Sequence, residues 1–236
     1  MKLNLSCSST HCEGFVAVRW MFFDLDGTLA DSLPGLRDSI AEALSSGGRR
    51  LRIEDISPFI GPGIRTILKN MESDLTESEL DGMEQCFRAN YDANGVRNTQ
   101  LYEGVKRTLE SLKETGVELF LVTNKPKIAT NNLTNQHGID GLFTEMLSRN
   151  SRQPAFLSKG EMLRELVARY RVNAERAVMV GDTEEDYNAA KEAGMRFAFA
   201  EYGYGKIRDE VECIRLSQFS EIAQVCGLVL RGEGIN

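Results

Sequence analysis

Asp24 and Asp26 stand one residue apart in the stretch Trp20 to Asp31, WMFFDLDGTLAD, at the end of an apolar run, and Gly27 and Thr28 follow at once. Two carboxylates so close repel each other, so the pair calls for a metal ion, a shared proton or exposure to water. Two further apolar runs end in polar groups. Thr123 and Asn124 close VELFLVT, and Asp182 closes AVMVG, with Asp186 one helical turn further on.

Those residues need elements to hold them. Val18–Leu25, Val117–Thr123, Ala177–Gly181 and Met195–Ala200 are short apolar runs rich in aromatic or branched residues, and they read as buried strands. Between them Tyr102–Thr115, Lys127–His137, Ser158–Tyr170 and Glu184–Ala193 carry apolar residues at three- and four-residue spacing. Gly116, Gly138 and Gly194 stand after three of these as helix stops. Strands alternating with helices predict an α/β core, doubly wound around a mainly parallel sheet. In such a sheet, ligands bind beyond the carboxyl ends of the strands, and three strands deliver their polar residues to that edge.

The alternation breaks between about Leu33 and Asn98, where helical patterns joined by Ser46-Gly47-Gly48 and Gly61-Pro62-Gly63 contain no convincing strand. Residues 32–98 are therefore expected to form a helical insertion, with 19–31 and 99–236 as the core. Residues 1–18 are expected to be a polar tail without fixed structure.

Composition narrows the function. The chain has 236 residues, 42% hydrophobic and 27% charged, with a formal net charge of −7. Nucleic acid needs a basic face that this balance does not supply. No stretch approaches the roughly 18 apolar residues of a membrane span, and the start is too polar for a secretory signal. Five cysteines lack the paired spacing of a zinc site or a disulfide framework, which points to a reducing, cytoplasmic setting.

DLDGTLADS, VTNKP and GDTEEDYNAAKEAG, in this order, resemble the first, second and fourth motifs of the haloacid dehalogenase-like hydrolases, on the phosphoglycolate phosphatase-like branch with a helical cap after the first strand. The resemblance spans about Arg19 to Ser220, and NTQLYEGVKRTLESLKETG and EYGYG extend it. It implies a Rossmann-like core and an enzyme that hydrolyses a small phosphomonoester, a phosphorylated metabolite, with Mg2+ as cofactor. Asp24 would then be the nucleophile that forms an aspartyl-phosphate, and Asp26 the general acid and base. Asp24, the main-chain carbonyl of Asp26, and Asp182 would hold the metal, with Asp186 acting through water or by orienting Lys159. Thr123 and the main-chain amides of Leu25 and Asn124 would donate to phosphoryl oxygens, and Gly27 would let the backbone turn close to the phosphate.

The third motif departs from the pattern. Relatives show a lysine followed by proline, whereas this chain reads SRNSRQPAFLSKGEML. Lys159 is the expected phosphate-neutralising cation, because a lysine opening a helix is disfavoured by the helix dipole unless an anion is near. Arg149, Arg152 and Lys125 are the alternatives. Arg65, near Gly61-Pro62-Gly63, is a candidate substrate contact from the insertion, and an ordinary helix start there is the competing reading. A sugar phosphomutase, and a catalytically weak member serving as a binding module, remain open beside the phosphatase.

Overall fold

The structure, a computed structural model, describes residues 17–225 except 53, 55, 61 and 62. The described strands are β1 (Trp20–Phe23), β2 (Ala30–Asp31), β3 (Gln100–Leu101), β4 (Glu118–Thr123), β5 (Glu145–Ser148), β6 (Ala177–Gly181), β7 (Arg196–Ala200) and β8 (Ile214–Leu216). The α-helices are α1 (Leu33–Ser46), α2 (Ile64–Met71), α3 (Glu77–Asn90), α4 (Val105–Glu114), α5 (Lys127–His137), α6 (Lys159–Tyr170), α7 (Glu184–Glu192) and the short α8 (Ile222–Val225).

Six strands form one sheet in the order β5-β4-β1-β6-β7-β8, with every pairing parallel. Strands buried on both faces must be largely apolar, and β1, β4 and β6 are. Met21 and Phe23 of β1, Leu119 and Leu121 of β4, and Val178 and Val180 of β6 enter one core cluster together with side chains of α4, α5 and α8. Trp20, Phe22, Phe120, Val122, Ala177 and Met179 point the other way, onto α6 and α7. The Phe22 and Phe120 rings stack across β1 and β4 with centroids 4.8 Å apart. Chain order reverses around β1, with β4 on one side and β6 on the other, so the polar ends of these three strands meet at the switch point.

The expected doubly wound sheet is present, with two strands beyond the four expected, β5 and β8. Each is a sheet edge of three or four residues with polar positions in it, too short and too mixed to read as a buried run. The expected first strand also shortens to Trp20–Phe23. Asp24 keeps one ladder bond, donating its N–H to the Val180 carbonyl at 3.0 Å, before the chain turns.

α1, α2 and α3 share a separate apolar cluster built on Ile40, Leu44, Ile67, Leu68, Leu80 and Met83. The antiparallel pair β2–β3, with Ala30 opposite Leu101 and Asp31 opposite Gln100, ties the two chain crossings together at the base of this insertion. α3 starts with a capping box, Thr76 exchanging bonds with Glu79, and runs into a single π-helical turn, Tyr91–Gly95. Of the expected polar tail, residues 1–16 lie outside the described residues. Val18 is already buried in the core, and Arg176 Nε donates to the Ala17 carbonyl. Gly61 and Pro62 likewise lie outside the described residues. Among the described residues no helix is long and apolar enough to cross a membrane.

Candidate active site

Asp24 follows β1, Asp182 follows β6, and Asp186 lies in the first turn of α7. All three are buried, and each offers a carboxylate oxygen within 4.8 Å of the others. Lys159, the first residue of α6, reaches them from a neighbouring helix. Its ammonium is 2.9 Å from Asp24 Oδ1 and 2.5 Å from Asp186 Oδ1. The second oxygen of Asp186 accepts from the main-chain N–H of Thr183 at 3.1 Å and from the Thr183 hydroxyl at 2.6 Å, which completes the capping box of α7. Asp186 is therefore spent on Lys159 and on its own helix. Asp24, Asp182 and Asp186 together form a group whose carboxylate oxygens could hold a metal ion.

The electrostatics ask for that cation. Burial, reinforced by Asp186 and Asp182, pushes the Asp24 carboxyl up to about 8 despite the opposing pull of Lys159. Burial and Asp186 likewise raise Asp182, to about 7. For Lys159, burial works against the charge, but Asp186 and Asp24 outweigh it and hold the ammonium above its ordinary range. With all three buried carboxylates ionised, the one lysine would leave negative charge uncompensated. A compact, all-oxygen acidic site of this kind suits a hard divalent ion.

The surrounding loops shape the pocket around Asp182. Gly205 N–H donates to Asp182 Oδ2 at 2.8 Å, and the Thr28 hydroxyl makes a long 3.5 Å contact to Oδ1. Gly27 has φ +82°, and a Cβ there would run into the Asp182 carboxylate. The turn after β1 thus needs glycine both for its backbone conformation and for the close approach of Asp182. Leu25 anchors the same turn, its carbonyl accepting from Thr28, Leu29 and Ala30 at 3.3, 2.9 and 3.0 Å. Tyr202 and Tyr204 of the EYGYG loop brace it from outside. Tyr202 donates to the Thr28 carbonyl at 2.8 Å, and Tyr204 shares a 2.9 Å hydrogen bond with Ser32.

At the end of β4, Thr123 is buried. Its Oγ1 accepts from the Lys125 N–H at 3.1 Å, which leaves its own hydroxyl proton to donate elsewhere. Asn124 turns its Nδ2 to Glu185 at 2.8 Å, while its buried Oδ1 has no partner among the described residues. Asp26 does not join the acidic cluster's hydrogen bonds. Both its oxygens accept from Lys125 Nζ, at 2.8 and 3.1 Å, and Lys125 Nζ also lies 2.6 Å from the Tyr91 hydroxyl.

Of the alternatives for the third-motif cation, Arg152 pairs with Glu161 and Glu165, and Arg149 has an exposed side chain on the loop after β5. Arg65 is not brought to the cluster. Its guanidinium is engaged by Glu77, Asp81 and Glu84 of α3, at 2.6, 2.5 and 3.0 Å, as a brace within the insertion. The sequence reading expected Tyr202 to Gly205 to flank the site, but it missed Tyr91, Thr183 and the partnership of Lys125 with Asp26. The T-x-x-D spacing of Thr183 and Asp186 was a readable capping signal; the other contacts depend on which strands and loops become neighbours.

The model of the haloacid dehalogenase-like hydrolase family matches residues 21–200. A phosphoglycolate phosphatase of Photobacterium profundum is 31% identical over 225 residues, covering 91% of this chain and 98% of its own. One from Haemophilus influenzae is 35% identical over 191 residues, covering 77% and 85%. The crystal structure of a predicted phosphoglycolate phosphatase from Haemophilus somnus superposes with a TM-score of 0.79 at 31% identity, over 90% of this chain and 99% of that one. With the motif residues gathered at the switch point of the sheet, the chain belongs to the haloacid dehalogenase-like hydrolases, as a phosphoric monoester hydrolase of their phosphoglycolate phosphatase-like branch.

Proposed function

We propose that the protein hydrolyses a small phosphomonoester, phosphoglycolate or a sugar phosphate, through an aspartyl-phosphate on Asp24, with Mg2+ as its metal. The observation that carries this reading is the buried set of Asp24, Asp182 and Asp186 with Lys159 between Asp24 and Asp186. Asp24 and Asp182, with the main-chain carbonyl of Asp26, would hold the ion. When bound, Mg2+ offsets the negative charge that the carboxylates and the phosphoryl group bring together.

An Asp24 oxygen attacks phosphorus while the bond from phosphorus to the substrate oxygen breaks, and Asp26 gives that departing oxygen its proton. Water then attacks the phosphorus of the aspartyl-phosphate, surrenders a proton to Asp26 and regenerates Asp24. Lys159 neutralises phosphoryl oxygens alongside Asp24, and the Thr123 hydroxyl and the amides of Leu25 and Asn124 donate to them. Asp186 directs Lys159 rather than meeting the substrate. The insertion, residues 32–98, serves as the cap that shields the reaction from bulk water. Acidic side chains of α3 already hold Arg65, so its part is to stiffen that cap.

The test is a panel of phosphorylated small metabolites, phosphoglycolate and hexose phosphates among them, scored by release of inorganic phosphate with Mg2+ and with excess chelator. Phosphate release that chelation abolishes is the expected result. Undiminished release in chelator overturns the metal assignment, and conversion of a hexose 1-phosphate into its isomer without net phosphate release overturns hydrolysis as the reaction.

A further inference from the structure

The two acids of DLD have different partners. Asp24 answers to Lys159, whereas Asp26, whose side chain is one-fifth exposed, is gripped through both oxygens by Lys125. Lys125 is a long, flexible side chain, and a grip of this kind orders Asp26 only if the lysine is itself ordered. It is ordered at both ends. Its main-chain N–H donates to Thr123, and its carbonyl accepts from Thr130 at 3.4 Å, while Thr130 in turn accepts from Ser148 at 3.0 Å, all within the core.

At the other end the ammonium meets the Tyr91 hydroxyl at 2.6 Å, with the ring centroid 4.5 Å away. Tyr91 belongs to the insertion. Its ring stacks on Phe87 of α3 with centroids 5.5 Å apart, and its hydroxyl also bonds the buried Thr99 on the return to the core. It sits at the start of the π-helical turn that ends α3. Such turns are uncommon and recur at functional sites. A continuous line of contacts therefore runs from Phe87 through Tyr91 and Lys125 to Asp26.

We infer that Lys125 and Tyr91 are positioning residues for the acid/base Asp26, the insertion supplying through Tyr91 the contact that aims Lys125 and so the Asp26 carboxylate. This rests on the phosphatase reading above, in which Asp26 protonates the departing oxygen. A purely structural clamp between insertion and core would affect all substrates alike. A clamp that aims Asp26 affects those whose leaving oxygen needs a proton.

The experiment compares kcat/KM, which reports the steps through transfer of the phosphoryl group, for an alkyl phosphate and for p-nitrophenyl phosphate. The p-nitrophenolate leaves with little protonation. Tyr91→Phe keeps the ring, its stacking and its volume while deleting the hydroxyl. Lys125→Met keeps the length of the stem and deletes the ammonium. Lys125→Met is expected to lose about 10²-fold on the alkyl phosphate, the lower range for a lost proton-transfer contribution, and at least ten times less on p-nitrophenyl phosphate. Tyr91→Phe is expected to show the same bias at smaller size.

Equal losses on the two substrates, no loss, or a gain in either variant overturns the inference. Should Lys125→Met fail to fold, Tyr91→Phe alone decides it. If instead the wild-type protein releases no phosphate from either ester in Mg2+, the phosphatase reading has failed. An active wild type with unbiased variants defeats only the positioning role.

Discussion

Asp24 and Asp26 show how two identical side chains, two positions apart, are given different surroundings by their neighbours. The Asp24 carboxylate lies among Lys159, Asp182 and Asp186, where a nucleophile can meet both a cation and phosphorus, and Asp26 lies at the boundary with the insertion, facing Lys125 and Tyr91. On the proposed roles, with Asp24 as nucleophile, Asp24→Asn preserves shape but removes the attacking oxygen, so it should abolish turnover and leave no trapped acyl-phosphate after quenching with labelled substrate. Asp26→Asn keeps the nucleophile, and its loss should reach about 10²- to 10⁴-fold on an alkyl phosphate and shrink on p-nitrophenyl phosphate. Near-native turnover by Asp24→Asn, measured as phosphate release, would reverse these roles. At this scale the sequence was legible where a residue closes an apolar run: Asp24, Thr123 and Asp182 could be placed on one edge from pattern alone. Lys125 was not, because its grip on Asp26, 99 positions away, exists only once β4 lies beside β1.

Helices were readable as elements because their apolar spacing and stop signals are local. α5 runs over Lys127–His137, as its pattern indicates, and Gly138 ends it in the left-handed region with φ +61°. The edge strands β5 and β8 and the braces around Asp182 were not readable, since their role comes from what packs beside them. Gly205 is such a brace. A Cβ there would meet the main chain of Asp182, which cannot move aside as a flexible side chain could, so Gly205→Ala has to lift the loop and break the bond from its N–H to Asp182 Oδ2. Partners one layer out from a metal orient its ligands, and losing one typically costs about 10- to 100-fold in affinity. The half-saturating Mg2+ concentration for phosphate release should rise by that order in Gly205→Ala, with a smaller change in the rate at saturating metal. An unchanged metal requirement would show that Asp182 is held without the loop.

For the whole molecule, the acidic site links folding stability to pH and metal. In the absence of a cation, burial and mutual repulsion raise Asp24 to about 8 and Asp182 to about 7 from an ordinary 3.8. Between about pH 4 and those values the folded chain holds protons on these carboxyls that the unfolded chain has released. Stability then falls with rising pH, because the slope follows the protons bound by the unfolded state minus those bound by the folded state. The contribution is fully present below the ordinary carboxylate range and is lost as pH passes through 7 to 8. A bound divalent cation favours the ionised carboxylates and removes this loss. The melting temperature of metal-free protein should therefore decline from pH 5 to pH 8 relative to protein in excess Mg2+, and the gap should widen steadily across that window. For a chain of this size each 1 kcal/mol moves the midpoint by about 2–4 °C, so the widening is measurable by circular dichroism or differential scanning fluorimetry. Asp182→Asn, which removes one of the two raised acids together with a ligand in the proposed metal site, should flatten the dependence and shrink the gap at pH 8. A gap that stays constant or narrows toward pH 8 in the wild-type protein would mean that the cation is not bound by these carboxylates.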